Sequence, residues 1–167
     1  YKTADIIVEA HLKPNKVVVS GKTFADGLSA GYLAYTKNAN LVYDECKNVN
    51  GLQTTVVGGD VQINGTGVKV LSGTDRYTTN LEVLKECIKG AKKLIITSGK
   101  DWADGVSVST VRHPVMMVGD YLTIKQAAFL DKQSDLEYVI LGGDSVVSKD
   151  IERQLAGIGK VTRLDGL

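Results

Sequence analysis

Short apolar runs alternate along the chain with longer stretches whose apolar residues recur three or four positions apart. The runs are wholly or nearly apolar, which is typical of strands buried on both faces of a parallel sheet. They predict strands at 17–19, 40–43, 54–57, 94–96, 115–118 and 138–141. The longer stretches predict helices at 1–12, 80–91, 124–132 and 148–155, and a helix with closely spaced small residues after 17–19 and after 94–96. This order of elements predicts an α/β fold with mainly parallel sheets.

Four phrases occur twice, in the same order. S-G-K-x-[F/W]-A-D-G stands at 20–27 and 98–105, and a G-G-D phrase closes the segments 56–60 and 140–144. V-L-S-G at 70–73 returns as R-L-D-G at 163–166, and Y-K-T-A at 1–4 returns as Y-T-T-N at 77–80. A shared order of phrases indicates an internal repeat. We therefore divide the chain into tandem repeats at 1–76 and 77–167, and expect it to be a fragment of a longer repeat protein.

The first repeat is shortened relative to the second. In the second repeat, the intervals between shared phrases hold the helices predicted at 124–132 and 148–155. In the first repeat, 44–52 and 60–67 are shorter and rich in Asn and Gly, which disfavour helix. We expect the first repeat to have lost two helices. A capping box formed by Thr79 and Glu82 predicts where the helix at 80–91 begins.

Composition and charge exclude several classes of protein. Of 167 residues, 43% are hydrophobic and 23% charged, which is typical of a packed globular chain and excludes a disordered tail or a coiled coil. The net charge of +1, with no Lys/Arg cluster, argues against nucleic acid as a partner. No apolar run approaches the roughly 20 residues of a membrane span. The two cysteines, Cys46 and Cys87, form no metal motif, and whether they are free or paired is left open.

Candidate catalytic patterns are incomplete. Gly27 to Gly31 matches the G-x-S-x-G nucleophile elbow, but its Ser29 lies inside a predicted helix rather than on a turn after a strand. The S-G-K-T phrase lacks the earlier glycine of a phosphate-binding loop, because Lys16 stands there. Neither histidine has a carboxylate at ligand spacing, and the aspartates of the A-D-G phrase are interpreted as acceptors for helix N–H groups. No enzymatic activity, metal or cofactor is predicted.

Together the phrases resemble the clostridial-type cell wall binding repeat (type 2), a module found in tandem in S-layer and other cell wall proteins of Gram-positive bacteria. The resemblance rests on S-G-x-x-x-A-D-G, on G-G-D and on S-G-T-D-R-Y-T-T at 72–79. It implies a Rossmann-like α/β fold, usually in three tandem modules, and noncovalent attachment to an anionic secondary wall polymer. The first repeat departs from the family pattern at two places: N-L-V-Y at 40–43 stands where the second repeat has P-V-M-M at 114–117, and Val70 stands where the second repeat has Arg163.

The resemblance implies a non-catalytic module that binds an anionic secondary cell wall polymer outside the cell, at the cell wall or S-layer. Its partners would be that polymer and other repeats or S-layer subunits. The alternative is a structural or interaction module of an S-layer or exported surface protein, with no polymer contact of its own. The shortened first repeat favours this alternative.

We expect polymer contact to concentrate on the fuller second repeat. Cationic donors at Arg112 and Lys125 bracket the strand that holds Met116 and Met117, and flexible methionines adapt to irregular surfaces. The alternative for the two methionines is core packing, because their run is apolar on both faces. Arg163 would orient the repeat junction. Arg76 in the junction phrase would contact polymer or tie the turn to a carboxylate.

Overall fold

The chain forms two compact units, Tyr1–Cys87 and Ile88–Leu167. The computed structural model describes residues 13–44, 53–61, 63, 67–100 and 112–165. Each unit contains one four-stranded sheet in which all neighbouring strands are parallel. The predicted α/β fold with parallel sheets is therefore confirmed. The division into repeats at 1–76 and 77–167 follows sequence phrases rather than contacts, and it stays a proposal.

The first unit alternates strands and helices around a central strand. Its described elements are β1 (Asn15–Val19), α1 (Phe24–Thr36), β2 (Ala39–Tyr43), β3 (Gln53–Val57), β4 (Val68–Leu71) and α2 (Arg76–Cys87). The strand order is β2-β1-β3-β4. Helix α2 packs in this unit, against α1.

The second unit has the same strand order. Its described elements are β5 (Lys93–Ser98), β6 (Val115–Val118), α3 (Ile124–Leu130), β7 (Glu137–Leu141), α4 (Lys149–Ala156) and β8 (Lys160–Leu164). The order β6-β5-β7-β8 matches that of the first sheet strand for strand. No helix in the described part of the chain is long and apolar enough to cross a membrane.

Equivalent phrases occupy equivalent places in the two sheets. Val70 pairs with Val56 across β3 and β4, and Arg163 pairs with Ile140 across β7 and β8. The glycine after β3 and the glycine after β7 both have positive φ, 104° at Gly58 and 98° at Gly142. Each donates its N–H to the last residue of the neighbouring edge strand, at 3.0 and 2.9 Å. The sequence repeat is thus also a structural repeat.

The core of the first unit lies on both faces of β1. Val17, Val18 and Val19 have no exposed surface. Val17 and Val19 pack with residues of α1 and α2, whereas Val18 packs with a separate cluster around Val56. A fully buried valine contributes roughly 1.5–3 kcal/mol relative to an exposed one, so the central strand holds the unit together. Small residues of α1 such as Ala30 are also fully buried and allow close packing.

A buried polar pair joins α1 to α2. Ser29 donates its hydroxyl to the carbonyl of Ala25 at 2.8 Å, and Asn80 donates its side-chain amide to the Ser29 oxygen at 3.0 Å. Asn80 has no exposed surface, and Ser29 is 5% exposed. Ser29 is therefore a helix-packing residue and not the nucleophile of an elbow, as its position in a predicted helix indicated.

The helix predicted at 80–91 begins earlier than expected. The structure has Arg76–Cys87, so Thr79 lies inside the helix and the predicted capping box is wrong. Asp75 caps the helix instead: its carboxylate accepts the Thr78 N–H at 2.7 Å, and the Thr78 hydroxyl accepts the Asp75 N–H at 3.0 Å. These two reciprocal hydrogen bonds satisfy the same unpaired N–H groups at the helix start as a Thr–Glu capping box, but here the acidic residue precedes the hydroxyl residue.

The helices predicted at 124–132 and 148–155 are confirmed, with bounds Ile124–Leu130 and Lys149–Ala156. Thr123 caps the first of them in a capping box with Gln126, and Ser148 caps the second. The helix expected at 1–12 and the small-residue helix expected after 94–96 fall outside the described residues. So does most of the interval between β2 and β3 in which a helix was expected to be lost. Between β3 and β4, residues 58–61, 63 and 67 contain no helix.

Two strands were not predicted. β4 and β8 are the edge strands beside β3 and β7, and their residues are mostly exposed or half-buried. Lys69, Lys160 and Thr162 interrupt their apolar pattern. Because polar and charged residues stand within both strands, they lack the continuous apolar run that marks a parallel strand buried on both faces.

Candidate functional site

The turns after the two central strands are built alike. In the S-G-K turn of the first unit, the Ser20 hydroxyl accepts the N–H of Lys22 at 3.2 Å. In the second unit, the Ser98 hydroxyl accepts the N–H of Lys100 at 3.0 Å. The serine of the repeated phrase therefore closes the turn at the carboxyl end of each central strand. This local role accounts for the serine without a phosphate-binding loop.

A cavity of about 250 Å³ opens at the carboxyl edge of the first sheet, where β1, β3 and β4 end. Its lining comes from all four repeated phrases, at positions 23, 25–26, 58–60, 73 and 79, and from residues 74–76 between the last two phrases. Carboxyl ends of neighbouring parallel strands meet at one edge, which is where open α/β sheets hold their ligands. The phrases that are far apart in the sequence thus meet around one space.

Asp26 forms one wall of this cavity. The Thr23 hydroxyl donates to its carboxylate at 3.0 Å. Burial raises the pKa of Asp26, and the negative charge of Asp60 raises it further, whereas the Thr23 hydrogen bond and the Arg76 charge lower it. A Cβ at Gly58 would lie 2.6 Å from Asp26, and the φ of Gly58 is +104°. Glycine is therefore required at this position for both space and conformation.

Arg76 lies at the start of α2 and lines the same cavity. Its guanidinium carbon is 5.6 Å from the centroid of the Phe24 ring, a distance at which a cation is attracted to an aromatic face. Gly73, on the cavity floor, donates its N–H to the Thr79 hydroxyl at 2.9 Å, and a Cβ there would collide with Thr78. Arg76 is the one predicted site residue that the structure places at this cavity.

The other predicted site residues lie in the second unit and are not brought together. Met116 and Met117 have no exposed surface, so they are core residues of β6 and have no surface to offer a polymer. Arg112 precedes β6, at the amino edge of the sheet, whereas Lys125 follows β6 on the first turn of α3. The two cations thus bracket β6 from opposite ends, and their contact with a polymer stays a proposal.

Arg163 is held inside the second unit. Its guanidinium donates to the Glu152 carboxylate at 2.9 and 3.1 Å and to the carbonyl of Gly142 at 2.8 Å. The Arg163 side chain is only 10% exposed. It ties β8 to α4 and to the G-G-D turn, which fits the expected role in orientation better than contact with a ligand.

Sequence reasoning missed Asp26, Gly59 and Asp60 as site residues and interpreted the aspartates as local capping groups. The signal that could have found them was the repeat itself, because the repeated phrases follow strands that pair in the sheet. No group of three or more His, Cys, Asp or Glu side chains that could hold a metal ion occurs within the described ranges. The Asp104 counterpart of Asp26 lies outside those ranges.

Proteins with a similar sequence or a similar fold are known. Residues 70–152 match the family described as cell wall binding domain 2 (CWB2). Over its whole length the chain is similar in structure to Cwp8 from Clostridium difficile, with a TM-score of 0.82 and 25% identity over 99% of this chain. Cwp6 from the same organism has the same fold, with a TM-score of 0.86, 21% identity and 99% of this chain covered.

In sequence, the chain is 24% identical over 176 residues, covering 90% of this chain, to the N-acetylmuramoyl-L-alanine amidase LytC of Bacillus subtilis strain 168. The chain spans only 35% of LytC, 34% of Cwp8 and 32% of Cwp6. The family match covers β4 through the first turn of α4, and so most of the second repeat. Residues 70–152 therefore resemble the cell wall binding domain 2 family, within a chain that shares its fold with two C. difficile cell wall proteins.

Proposed function

We propose that this chain attaches the protein that carries it to the bacterial cell wall, by noncovalent binding of an anionic secondary wall polymer and without catalysis. The observation that carries the proposal is the match of residues 70–152 to a cell wall binding family. The similarity to LytC and Cwp8 along nearly the whole chain supports it, because both exceed this chain about threefold in length. A module that recurs in longer proteins is suited to attaching the rest of each protein to a surface.

The physical basis is avidity. Each unit offers a modest site, and tandem units on one chain bind successive segments of a repeating glycan at high effective concentration. Modest sites suit a surface that lacks a strong cationic cluster, as the net charge of +1 indicates. The protein would then reside outside the cell, at the wall or S-layer, beside other modules of its own chain.

For the anionic groups of the polymer, we retain Lys125 and Arg112 as proposed contacts. Both side chains are exposed, and Lys125 lies at the carboxyl edge of the second sheet. An exposed charge pair contributes about 0.2–1 kcal/mol, so each contact would be weak alone. Because the two residues lie at opposite ends of β6, single charge reversals tell which edge faces the polymer.

Binding to purified cell walls tests the proposal. The chain is incubated with intact walls and with walls from which acid has removed the secondary polymer, and the bound fraction is measured at several salt concentrations. We expect binding to intact walls only, weakening as salt rises. Equal binding to both preparations would refute polymer recognition. If intact walls are not bound, but deletion of this segment abolishes assembly of the parent protein, the chain is an interaction module.

A further inference from the structure

We propose that the cavity of the first unit binds a neutral, hydroxyl-rich sugar unit of the wall polymer, and not its anionic group. This inference rests on the proposed function and names the chemistry of one contact within it. The cavity is separate from Lys125 and Arg112, which lie in the other unit. A polymer that alternates sugar and acidic groups would then meet two kinds of site on one chain.

The charges around the cavity favour a neutral ligand. Three carboxylates, of Asp26, Asp60 and Asp75, line it together with one guanidinium, that of Arg76. Asp26 is half-buried, whereas Asp60, Asp75 and Arg76 are exposed. A phosphate or carboxylate entering this space would meet more negative than positive charge, and the repulsion is strongest beside Asp26, where burial limits screening by solvent. Sugar hydroxyls can donate to carboxylate oxygens and accept from a guanidinium, so they use both kinds of group at once.

The polar groups are held in place before any ligand arrives. Thr23 fixes Asp26, the cap exchange with Thr78 fixes Asp75, and the Phe24 ring supports Arg76. An acceptor fixed beforehand loses little conformational freedom on binding, which matters most for a weak ligand such as one sugar. Burial is the main cause of the raised pKa of Asp26, and the negative charge of Asp60 contributes to it, so a further negative charge beside this carboxylate would be unfavourable.

The size of the cavity limits the ligand to a small unit. Its volume of about 250 Å³ lies below the roughly 300–1,000 Å³ of pockets that enclose drug-sized molecules. The cavity is also partly open to solvent, so one unit of a longer chain could enter it while its neighbours stay outside. A single sugar of a polymer meets both conditions.

Gly59 offers a way to fill the cavity without disturbing its frame. A Cβ built at Gly59 meets no atom within 4 Å, and its φ is not in the positive range. Because Gly59 lines the cavity, Gly59→Leu adds a side chain at the cavity lining without a clash at Cβ. Gly31→Leu is the matched control, because a Cβ at Gly31 also meets nothing within 4 Å and Gly31 does not line the cavity. We expect Gly59→Leu to weaken binding to intact walls about tenfold, and Gly31→Leu to leave it unchanged.

Removing the charge of Asp60 should change binding in opposite directions for a neutral sugar and for an anion. Asp60→Asn removes a charged acceptor, which should weaken sugar binding about fivefold, since charge-assisted hydrogen bonds are about twice as strong as neutral ones. If an anion occupies the cavity, the same change removes repulsion and strengthens binding. Asp135→Asn, in an exposed turn of the second unit at a positive φ that Asn tolerates, controls for net charge.

The experiment measures wall binding of the four variants together with their melting temperatures, and amide chemical shifts of the wild-type chain on addition of inorganic phosphate. We expect Gly59→Leu and Asp60→Asn to be folded and to bind more weakly, and phosphate to leave the Gly58, Gly59 and Gly73 amides unshifted. Stronger binding by Asp60→Asn, unchanged binding by folded Gly59→Leu, or phosphate shifts at those amides would overturn the proposal. If these occur while the wild type still needs the polymer, only the cavity assignment fails. If the wild type ignores the polymer, the proposed function fails and this inference falls with it.

Discussion

Replacing Arg163 with methionine tests whether this residue holds the second unit together or contacts a ligand. The substitution keeps an apolar stem and removes the guanidinium, which donates to Glu152 at 2.9 and 3.1 Å and to the Gly142 carbonyl at 2.8 Å. Its counterpart in the first unit is Val70, so the variant approximates the arrangement of the other repeat. Comparing Arg163→Met with the wild type therefore measures what the guanidinium contributes to stability and to wall binding.

The magnitude follows from burial. Hydrogen bonds to charged groups contribute roughly 1.5–3 kcal/mol, and removing one partner of a buried pair costs about 3–5 kcal/mol. The Glu152 side chain is 33% exposed and can be hydrated after the arginine is lost, so the cost falls below that of a fully buried pair and near the contribution of the charged hydrogen bonds. We expect Arg163→Met to lower the free energy of unfolding by about 2–3 kcal/mol. Arg153→Met, on an exposed pair of the same helix, should change it by less than about 0.5 kcal/mol.

The assay is urea unfolding at pH 7 followed by circular dichroism, with hydrogen exchange of the β7 and β8 amides as a local readout. Glu152→Gln and the double variant complete a cycle, in which we expect a coupling of at least about 1 kcal/mol. Wall binding of folded Arg163→Met should equal that of the wild type. A loss of wall binding with unfolding free energy unchanged would show that Arg163 contacts the polymer, and the structural assignment would be wrong.

Three further outcomes are expected. Burial raises the pKa of Cys87 to about 12, so its thiol should react with iodoacetamide at pH 8 only after unfolding in urea. Because the chain also has Cys46, the labelled peptide is identified, and rapid labelling at Cys87 in the native chain would contradict its buried position. Hydrogen bonds from two lysines hold the pKa of Glu86 below its usual 4.5, so its stabilising effect is complete above about pH 4.5 and is lost as pH falls through the lower folded-state value. Glu86→Gln should therefore flatten the fall in unfolding free energy on acidification, and a curve parallel to the wild type refutes the pairing. Lys125→Glu should weaken wall binding about threefold at low salt, whereas Lys132→Glu, beyond the other end of α3, should not; equal effects would indicate general charge attraction.

Much of the fold follows from local sequence pattern. The central strands β1 and β5 are predicted because both of their faces are covered, which leaves an uninterrupted apolar run such as that at 17–19. Helices α3 and α4 are predicted because the periodic apolar residues of each helix and its capping residue lie within a few positions of each other in the sequence. The repeated phrases predicted that equivalent turns follow equivalent strands, since the same phrases imply the same turns. These features depend on interactions between near neighbours, and a sequence displays them directly.

The tertiary structure alone decided the rest. The edge strands β4 and β8 owe their conformation to pairing with β3 and β7, and their own residues carry no apolar run. Whether Met116 and Met117 face a ligand or the core depends on what covers both sides of β6, which a single run cannot state. The cavity joins Asp26, Gly58 and Arg76 because β1, β3 and β4 end at one edge, and strand order is set by long-range pairing. A site assembled across a parallel sheet has no signature in sequence spacing, because the residues that meet there are separated along the chain by whole strands or helices.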